Sequence, residues 1–291
     1  MAMELIALDL DGTLVGTPMV VPQRTRQALR SAMKAGCQVT LATGRSFAST
    51  APIARELHLN SPLILCQGAL IQDHRNGAVI HRRTIPLDVA REVAAFAKTH
   101  GLAMHVHLDQ DRVYADHACP PIPRVAVLSG MQVKTVDDLP EWLEHPPLKF
   151  LFYGAPDEIN DVLSTLEAQF DSRLQIVQSW HHLVEITALK VSKGEALAWL
   201  ASRSDVPQSA TLAVGDQDND ASMLAWAGLG IAMHTASRAA KAAADVIAPP
   251  WPPPARVSTT DVPANKPDMR HDEGVAWAIQ RYVLGPGDGV E

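Results

Sequence analysis

The chain has few cysteines, no basic tract and no long apolar run, and each shortage narrows what it can be. Cysteine occurs three times, as Cys37, Cys66 and Cys119. The number is odd, the positions are far apart and none forms a CxxC pair, which argues against a disulfide framework and for a reducing compartment. Cys37 and Cys66 lie in or beside apolar strand-like runs and read as small core residues. Basic and aromatic residues do not interleave, and the formal net charge is −7, with 32 acidic against 25 basic residues. A nucleic-acid partner is therefore not expected. No apolar run approaches the length that crosses a bilayer. The N-terminus runs straight into a strand, without a basic region and long apolar segment, so neither a signal peptide nor a membrane partner is expected and the location is read as cytoplasmic.

What is present is ordinary globular composition, 47% hydrophobic and 20% charged over 291 residues, which is room for two domains. Glu4 to Leu10, Gln38 to Ala42 and Leu63 to Cys66 read as buried strands. Helices over Pro22 to Ala35 and Ser46 to Leu57 alternate with them, the rhythm of parallel βαβ units. The same alternation returns after Lys193, with strands at Thr211 to Val214, Leu229 to Met233 and Asp245 to Ala248. The helices there cover Lys193 to Ser202, Asn219 to Trp226, Ser237 to Ala244 and Glu273 to Leu284. The middle differs. Helices at Leu87 to His100 and Pro156 to Phe170 accompany strands at Leu102 to Leu108, Arg112 to Ala115, Leu148 to Tyr153, Leu174 to Gln178 and Leu183 to Thr187. Strands paired this way suggest an α+β insertion, bounded near Arg82 and Ala188. Two crossings between the domains suit a hinge.

The most informative stretch is Ile6-Ala7-Leu8-Asp9-Leu10-Asp11-Gly12-Thr13. A short apolar run ends in two carboxylates one residue apart, followed by a glycine that permits a turn. Alternate strand residues point to opposite faces, so both aspartates share one site only where the strand ends. Hard carboxylate oxygens suit Mg²⁺, and an aspartate can serve as a nucleophile. The same stretch also reads as a strand followed by an acidic turn. An acidic protein that handles an anion must concentrate positive charge locally, by lysine, metal or backbone N–H groups.

Three further segments accompany it. They are Leu41-Ala42-Thr43-Gly44-Arg45, Val191-Ser192-Lys193-Gly194 and Gly215-Asp216-Gln217-Asp218-Asn219-Asp220. Singly they read as a strand-to-helix turn, a solvated lysine at a helix start and an acidic helix cap. In this order they resemble the four motifs of the haloacid dehalogenase superfamily of phosphohydrolases. The wider pattern, including Ala227-Gly228-Leu229-Gly230-Ile231-Ala232-Met233 and Asp272-Glu273-Gly274-Val275-Ala276, is similar to its Cof-type subfamily over nearly the whole chain.

The resemblance implies an α/β fold with a Rossmann-like parallel sheet core and an inserted α+β cap domain. The core would be residues 1–81 and 189–291, and the cap residues 82–188. Open parallel sheets place sites beyond the carboxyl ends of their strands, where Asp9, Asp11, Thr43 and Asp216 fall. By resemblance Asp9 is the nucleophile and Asp11 the acid and base. Leu10 through its N–H, Thr43, Gly44, Lys193 and Asn219 bind phosphate. Mg²⁺ is held by Asp9, the main-chain carbonyl of Asp11 and Asp216, with Asp220 at the rim or in the outer shell. Thr13 is expected to order the turn. The implied activity is hydrolysis of small phosphorylated metabolites by a monomer or weak homodimer. Sugar phosphates come first, then cofactor phosphates such as pyridoxal phosphate or flavin mononucleotide. A phosphosugar mutase of the same fold and a non-catalytic metabolite-binding regulator are the alternatives.

Other features stand apart. His105 and His107 project from one strand face, too few ligands for zinc. Trp180-His181-His182 reads as a surface turn or a substrate contact. Gly228-x-Gly230 lacks the full dinucleotide fingerprint. Residues 249–271, opening with Pro249-Pro250-Trp251-Pro252-Pro253-Pro254, read as a surface loop or as a flap carrying Trp251. Two positions depart from the subfamily pattern: Gln67-Gly68 stands for Asn-Gly at the first hinge, and His234-Thr235 for Gly-Asn.

Overall fold

The computed structural model describes residues 2–16, 19–108, 111–117, 133–250 and 273–285. Cys119 and the Pro-rich segment from Trp251 onward lie outside the described residues. In chain order the strands are β1 (Leu5–Leu8), β2 (Gln38–Leu41), β3 (Leu63–Leu65), β4 (Leu70–Gln72), β5 (Val79–Arg82), β6 (Ala103–His107) and β7 (Val113–Asp116). They continue with β8 (Val133–Val136), β9 (Lys149–Tyr153), β10 (Leu174–Trp180), β11 (Leu183–Ala188), β12 (Thr211–Gly215), β13 (Leu229–Ala232) and β14 (Val246–Ile247). Contacts group the chain into two compact units, residues 1–43, 54–63 and 193–291, and residues 44–53 and 64–192.

The first unit is built on a five-stranded sheet in the order β14-β13-β12-β1-β2, parallel throughout. Leu5, Ile6, Ala7 and Leu8 are fully buried, as befits a central strand covered on both faces. The helix Gln23–Lys34 buries Thr25, Ala28, Leu29 and Ala32. Gly36, at φ +98, then turns the chain toward β2. The helix Lys193–Arg203 buries Ala196, Leu197, Leu200 and Ala201, so its first residue is anchored by the packing of the turns that follow. A methyl group on Gly194 would collide with the backbone carbonyl of Ser222, which makes this helix start a place for glycine.

The second unit carries a six-stranded sheet in the order β10-β11-β9-β6-β7-β8, antiparallel except for the β7–β8 pair. The helices Leu87–Thr99 and Pro156–Phe170 belong to it, and the edge contact of Phe96 with Phe170 packs one against the other. A small sheet, β3-β4-β5, completes the described strands.

Two expectations need correction. Leu63 to Cys66 does not extend the parallel sheet: β3 ends at Leu65 and joins the small sheet. The cause is local, since Cys66, Gln67 and Gly68 all take positive φ and fold the chain back into β4. The segment from Asn219 is not helical throughout. A tight 3₁₀ turn, Asp218–Asp220, precedes the helix Ala221–Trp226, because the Asp220 carboxylate accepts from the N–H groups of Asp216 and Gln217 and draws the turn closed. Strands β4, β5 and β8 and the short helix Leu139–Trp142 have no counterpart in the sequence reading.

Candidate active site

The site is assembled at the carboxyl ends of three adjacent strands of the first unit. Asp9 follows β1, and its N–H donates to Val214 O of β12 at 2.9 Å. Asp216 follows β12 directly. Thr43 lies just past β2, whose Leu41 is in register with Leu8, and Ala42 N donates to Leu8 O at 2.8 Å. Three stretches distant in sequence therefore end side by side.

The turn after β1 is held by Leu10 O, which accepts from the N–H groups of both Leu14 and Val15, while Gly12 N donates to Val15 O. Gly12 has φ +89, and a side chain there would collide with the Asp216 carboxylate. Glycine is thus required for its dihedral and for close approach alike. Gly215 is crowded in the same way, with the Asp220 Cβ 2.6 Å from where its own Cβ would stand.

Lys193 joins the motifs. Its Nζ donates to Asp9 Oδ1 and to Asp220 Oδ1, both at 2.6 Å, with all three side chains buried. Asp220 uses its other oxygen to accept the N–H groups of Asp216 and Gln217, each at 2.9 Å. Asp216 accepts from Thr13 Oγ1 at 2.7 Å on Oδ1 and from Gln217 Nε2 at 2.8 Å on Oδ2. The carboxylates of Asp9, Asp216 and Asp220 each place an oxygen within 4.8 Å of the others.

The electrostatics follow from burial. Desolvation pushes the Asp9 carboxyl up to about 8; Lys193 opposes this, and the carboxylates of Asp220 and Asp216 reinforce it. Asp216 is raised chiefly by burial, against the hydrogen bonds of Thr13 and Gln217. For Lys193 burial works against the charge, but Asp9 and Asp220 outweigh it and hold the ammonium above the ordinary lysine range. One ammonium cannot balance three buried carboxylates. A divalent cation among these hard oxygen donors would remove the excess negative charge, so the residues fit such an ion.

The remaining expected residues are placed as follows. Thr43 is buried, Asn219 is half-buried and Asp11 is exposed at the turn. Leu10 is fully buried. Gly44 falls in the second unit, where its carbonyl accepts from Lys149 Nζ at 2.9 Å. Thr13 reaches beyond its own turn to a carboxylate more than two hundred residues away. Gln217 was missed, although its place beside Asp216 in the fourth motif was the available signal. His181 and His182 sit exposed in the turn between β10 and β11. The His234-Thr235 loop is tied to the fourth motif, because the flanking Met233 N and Ser237 N donate to Gly215 O and Asp216 O.

A family profile described as haloacid dehalogenase-like hydrolase matches residues 6–250. The 5-amino-6-(5-phospho-D-ribitylamino)uracil phosphatase YcsE of Bacillus subtilis is 28% identical over 288 residues, covering 97% of this chain and 96% of its own. Pyridoxal phosphate phosphatase YbhA of Escherichia coli is 28% identical over 255 residues, with 85% and 93% covered. A crystal structure of a haloacid dehalogenase-like hydrolase from Bacteroides thetaiotaomicron matches with a TM-score of 0.75 at 25% identity, over 84% of this chain and 93% of the other. No helix among the described residues is long and apolar enough to cross a membrane. With the profile running through all four motifs, the chain belongs to the haloacid dehalogenase-like hydrolases.

Proposed function

We propose that this protein is a Mg²⁺-dependent phosphomonoesterase that acts through an aspartyl-phosphate. The observation that carries this reading is the buried Asp9–Lys193–Asp220 arrangement beside Asp216. Asp9 would attack phosphorus in line, forming the carboxyl–phosphate bond as the ester oxygen leaves. Asp11, exposed at the mouth of the turn, would give that oxygen a proton and later take one from the attacking water. Lys193, the Thr43 hydroxyl, the Leu10 N–H and Asn219 would hold phosphate oxygens, the positioning on which phosphoryl transfer chiefly depends. Asp9, the Asp11 carbonyl and Asp216 would hold Mg²⁺, with Asp220 in support. When bound, the ion supplies positive charge that offsets the repulsion between carboxylate and phosphate.

The division of labour we propose is a catalytic core of residues 1–81 and 189–291 and a cap of residues 82–188 that selects the substrate. The substrates are small phosphorylated metabolites, and the two phosphatase relatives bring cofactor-type phosphates forward beside sugar phosphates. A cytoplasmic location accords with Cys37 and Cys66, both buried and free. The test is phosphate release from a panel of phosphorylated metabolites with Mg²⁺ present. Turnover of several members is expected. Turnover that needs a bisphosphate activator would point to a mutase, and no turnover with any member would overturn the reading.

A further inference from the structure

The second unit contains a buried ion pair that no step above uses. Lys149 opens β9 and Glu185 lies in the middle of β11, and both side chains are almost fully shielded. In an apolar strand such as Lys149-Phe150-Leu151-Phe152-Tyr153 a charged residue is costly to bury. Its partners account for it. Lys149 Nζ donates to Glu185 Oε2 and to the main-chain oxygen of Gly44, each at 2.9 Å. Glu185 Oε1 in turn accepts from Gln67 Nε2 at 3.0 Å. Gln67 itself sits at φ +60, and its amide lies so close over Gly44 that a methyl group there would stand 2.5 Å from Nε2. The next residue is tied as well, with Cys66 N donating to Arg45 O at 3.0 Å.

All these bonds converge on Gly44 and Arg45, the two residues that follow Thr43 in the chain. Stability alone is a poor explanation for such a pair, since well-packed apolar residues often replace a buried ion pair without loss. A charge pair with fixed hydrogen-bond directions does something apolar packing cannot: it sets the orientation of a particular peptide group. We propose that Lys149, Glu185 and Gln67 are positioning residues that fix the Gly44–Arg45 peptide, one residue beyond Thr43, and through it the path of the chain that carries the phosphate-binding hydroxyl. The proposal rests on the role given to Thr43 above. It also assigns a function to Gln67, one of the two departures from the subfamily pattern. Small misplacements of a positioning group lower rates by large factors, so the effect is readable in kinetics.

The test compares wild type, the double variant Lys149→Met/Glu185→Leu, Thr43→Val, and the triple combination. The readouts are thermal melting, kcat and KM over the metabolite panel, and inhibition by inorganic phosphate. The double variant should melt cooperatively and lose about tenfold or more in kcat/KM for every substrate alike. Inorganic phosphate should inhibit it less well. Adding Thr43→Val to the double variant should cost much less than Thr43→Val costs wild type, because coupled residues are non-additive. A folded double variant with kcat/KM within about twofold of wild type would overturn the proposal, on the same scale of positioning effects. A reordered substrate preference would also overturn it, showing that the pair contacts substrate instead. If the double variant does not fold, Gln67→Met takes its place, and unchanged phosphate inhibition there would equally refute the idea. Should Thr43→Val alone leave wild-type phosphate inhibition intact, the role of Thr43 falls, and uniform loss in the double variant still decides whether the segment needs its clamp.

Discussion

Lys193 in the first unit and Lys149 in the second are both buried ammonium groups against carboxylates, yet the balance of charge around them differs. Lys149 meets one carboxylate, Glu185, and one carbonyl, Gly44 O. Its charge is matched and its donors are directed. Lys193 meets Asp9 and Asp220, and Asp216 stands close by as a third carboxylate. The first arrangement is complete in the protein alone. The second holds more negative charge than one lysine offsets; burial raises Asp9 and Asp216, and the neighbouring carboxylates reinforce the shift. A balanced pair suits the fixing of geometry, whereas an unbalanced cluster suits the cation and reacting group of the function proposed above.

The sharpest way to break this comparison is Asp9→Asn. The substitution removes one carboxylate from the unbalanced cluster and should abolish turnover while the protein still folds. Trapping with beryllium fluoride should place the phosphoryl analogue on Asp9 in wild type. Adduct formation on another residue would remove the nucleophile assignment.

Lys193→Ala comes next. Every substrate presents the same phosphoryl group, so all should lose kcat/KM together, by about 10²–10³-fold as for other lost electrostatic stabilisers. Rates over the metabolite panel check this, and a change in the rank order of substrates would count against it. The stability cost should be partly recovered by Mg²⁺, seen as a larger rise in melting temperature than wild type shows. A cation can take over part of the charge balance that the ammonium supplied.

The grouping of the candidate residues was readable in the sequence to the extent that each motif is local. Asp9 and Asp11 end an apolar run, Gly12 marks the turn, and Asp216 to Asp220 form one short segment. Their convergence follows from the strand order of the sheet, of which the βαβ rhythm implied only that the strands run parallel. Contacts that cross the chain were not readable. Thr13 reads as a turn residue until Asp216 is seen at 2.7 Å. Lys149 and Glu185 each stand as a lone charge in an apolar run, which hints at a buried partner without naming it. The third strand was misread for a related reason. Leu63, Ile64 and Leu65 are as apolar as a core strand, but three successive positive φ values at Cys66, Gln67 and Gly68 decide which sheet they join. Nothing in the apolar pattern records a dihedral angle. The short strands β4, β5 and β8 offer too few residues for a periodicity to emerge.

A smaller effect is expected from Thr13→Val, which keeps the shape of the side chain and removes the hydrogen bond to Asp216 Oδ1. Groups that orient a metal-binding carboxylate typically change metal affinity by about 10–100-fold when lost. The Mg²⁺ concentration for half-maximal activity should rise by about the lower of these figures, with little change in the rate at saturating Mg²⁺. In the second unit no metal dependence is expected, so the Lys149→Met/Glu185→Leu variant should keep the wild-type Mg²⁺ requirement. A Mg²⁺ requirement unchanged in Thr13→Val and shifted in the other variant would invert the comparison.

The mildest prediction concerns His105 and His107, next to Lys149 on the second unit's sheet. Both are buried on β6, and the Nε2 atom of each lacks a hydrogen-bond partner among the described residues. Burial, helped by the Lys149 charge, lowers His105 to about 4 and His107 well below the ordinary histidine value. Tyr153 and Glu185 are ionisable groups on the same sheet face, Cys66 acts on Lys149 beside them, and the Tyr153 hydroxyl lies 3.3 Å from His105 Nδ1. The folded state therefore keeps both rings neutral where the unfolded chain, titrating near 6.5, takes up protons. Below that pH the unfolded state binds more protons, so stability falls as pH falls, until the folded rings titrate in turn. Each histidine contributes at most about 1.4 kcal/mol per pH unit to this slope. His107→Leu removes one such group and an unsatisfied buried nitrogen, so it should leave stability near pH 7.5 unchanged or slightly higher. Urea melts at pH 7.5 and pH 5 should then show the variant losing less stability than wild type, by up to about 2 kcal/mol. The carboxylates of the first unit titrate alike in both proteins and cancel from the difference. Equal losses in the two proteins would mean that His107 is already protonated, or exposed, in the folded state at pH 5.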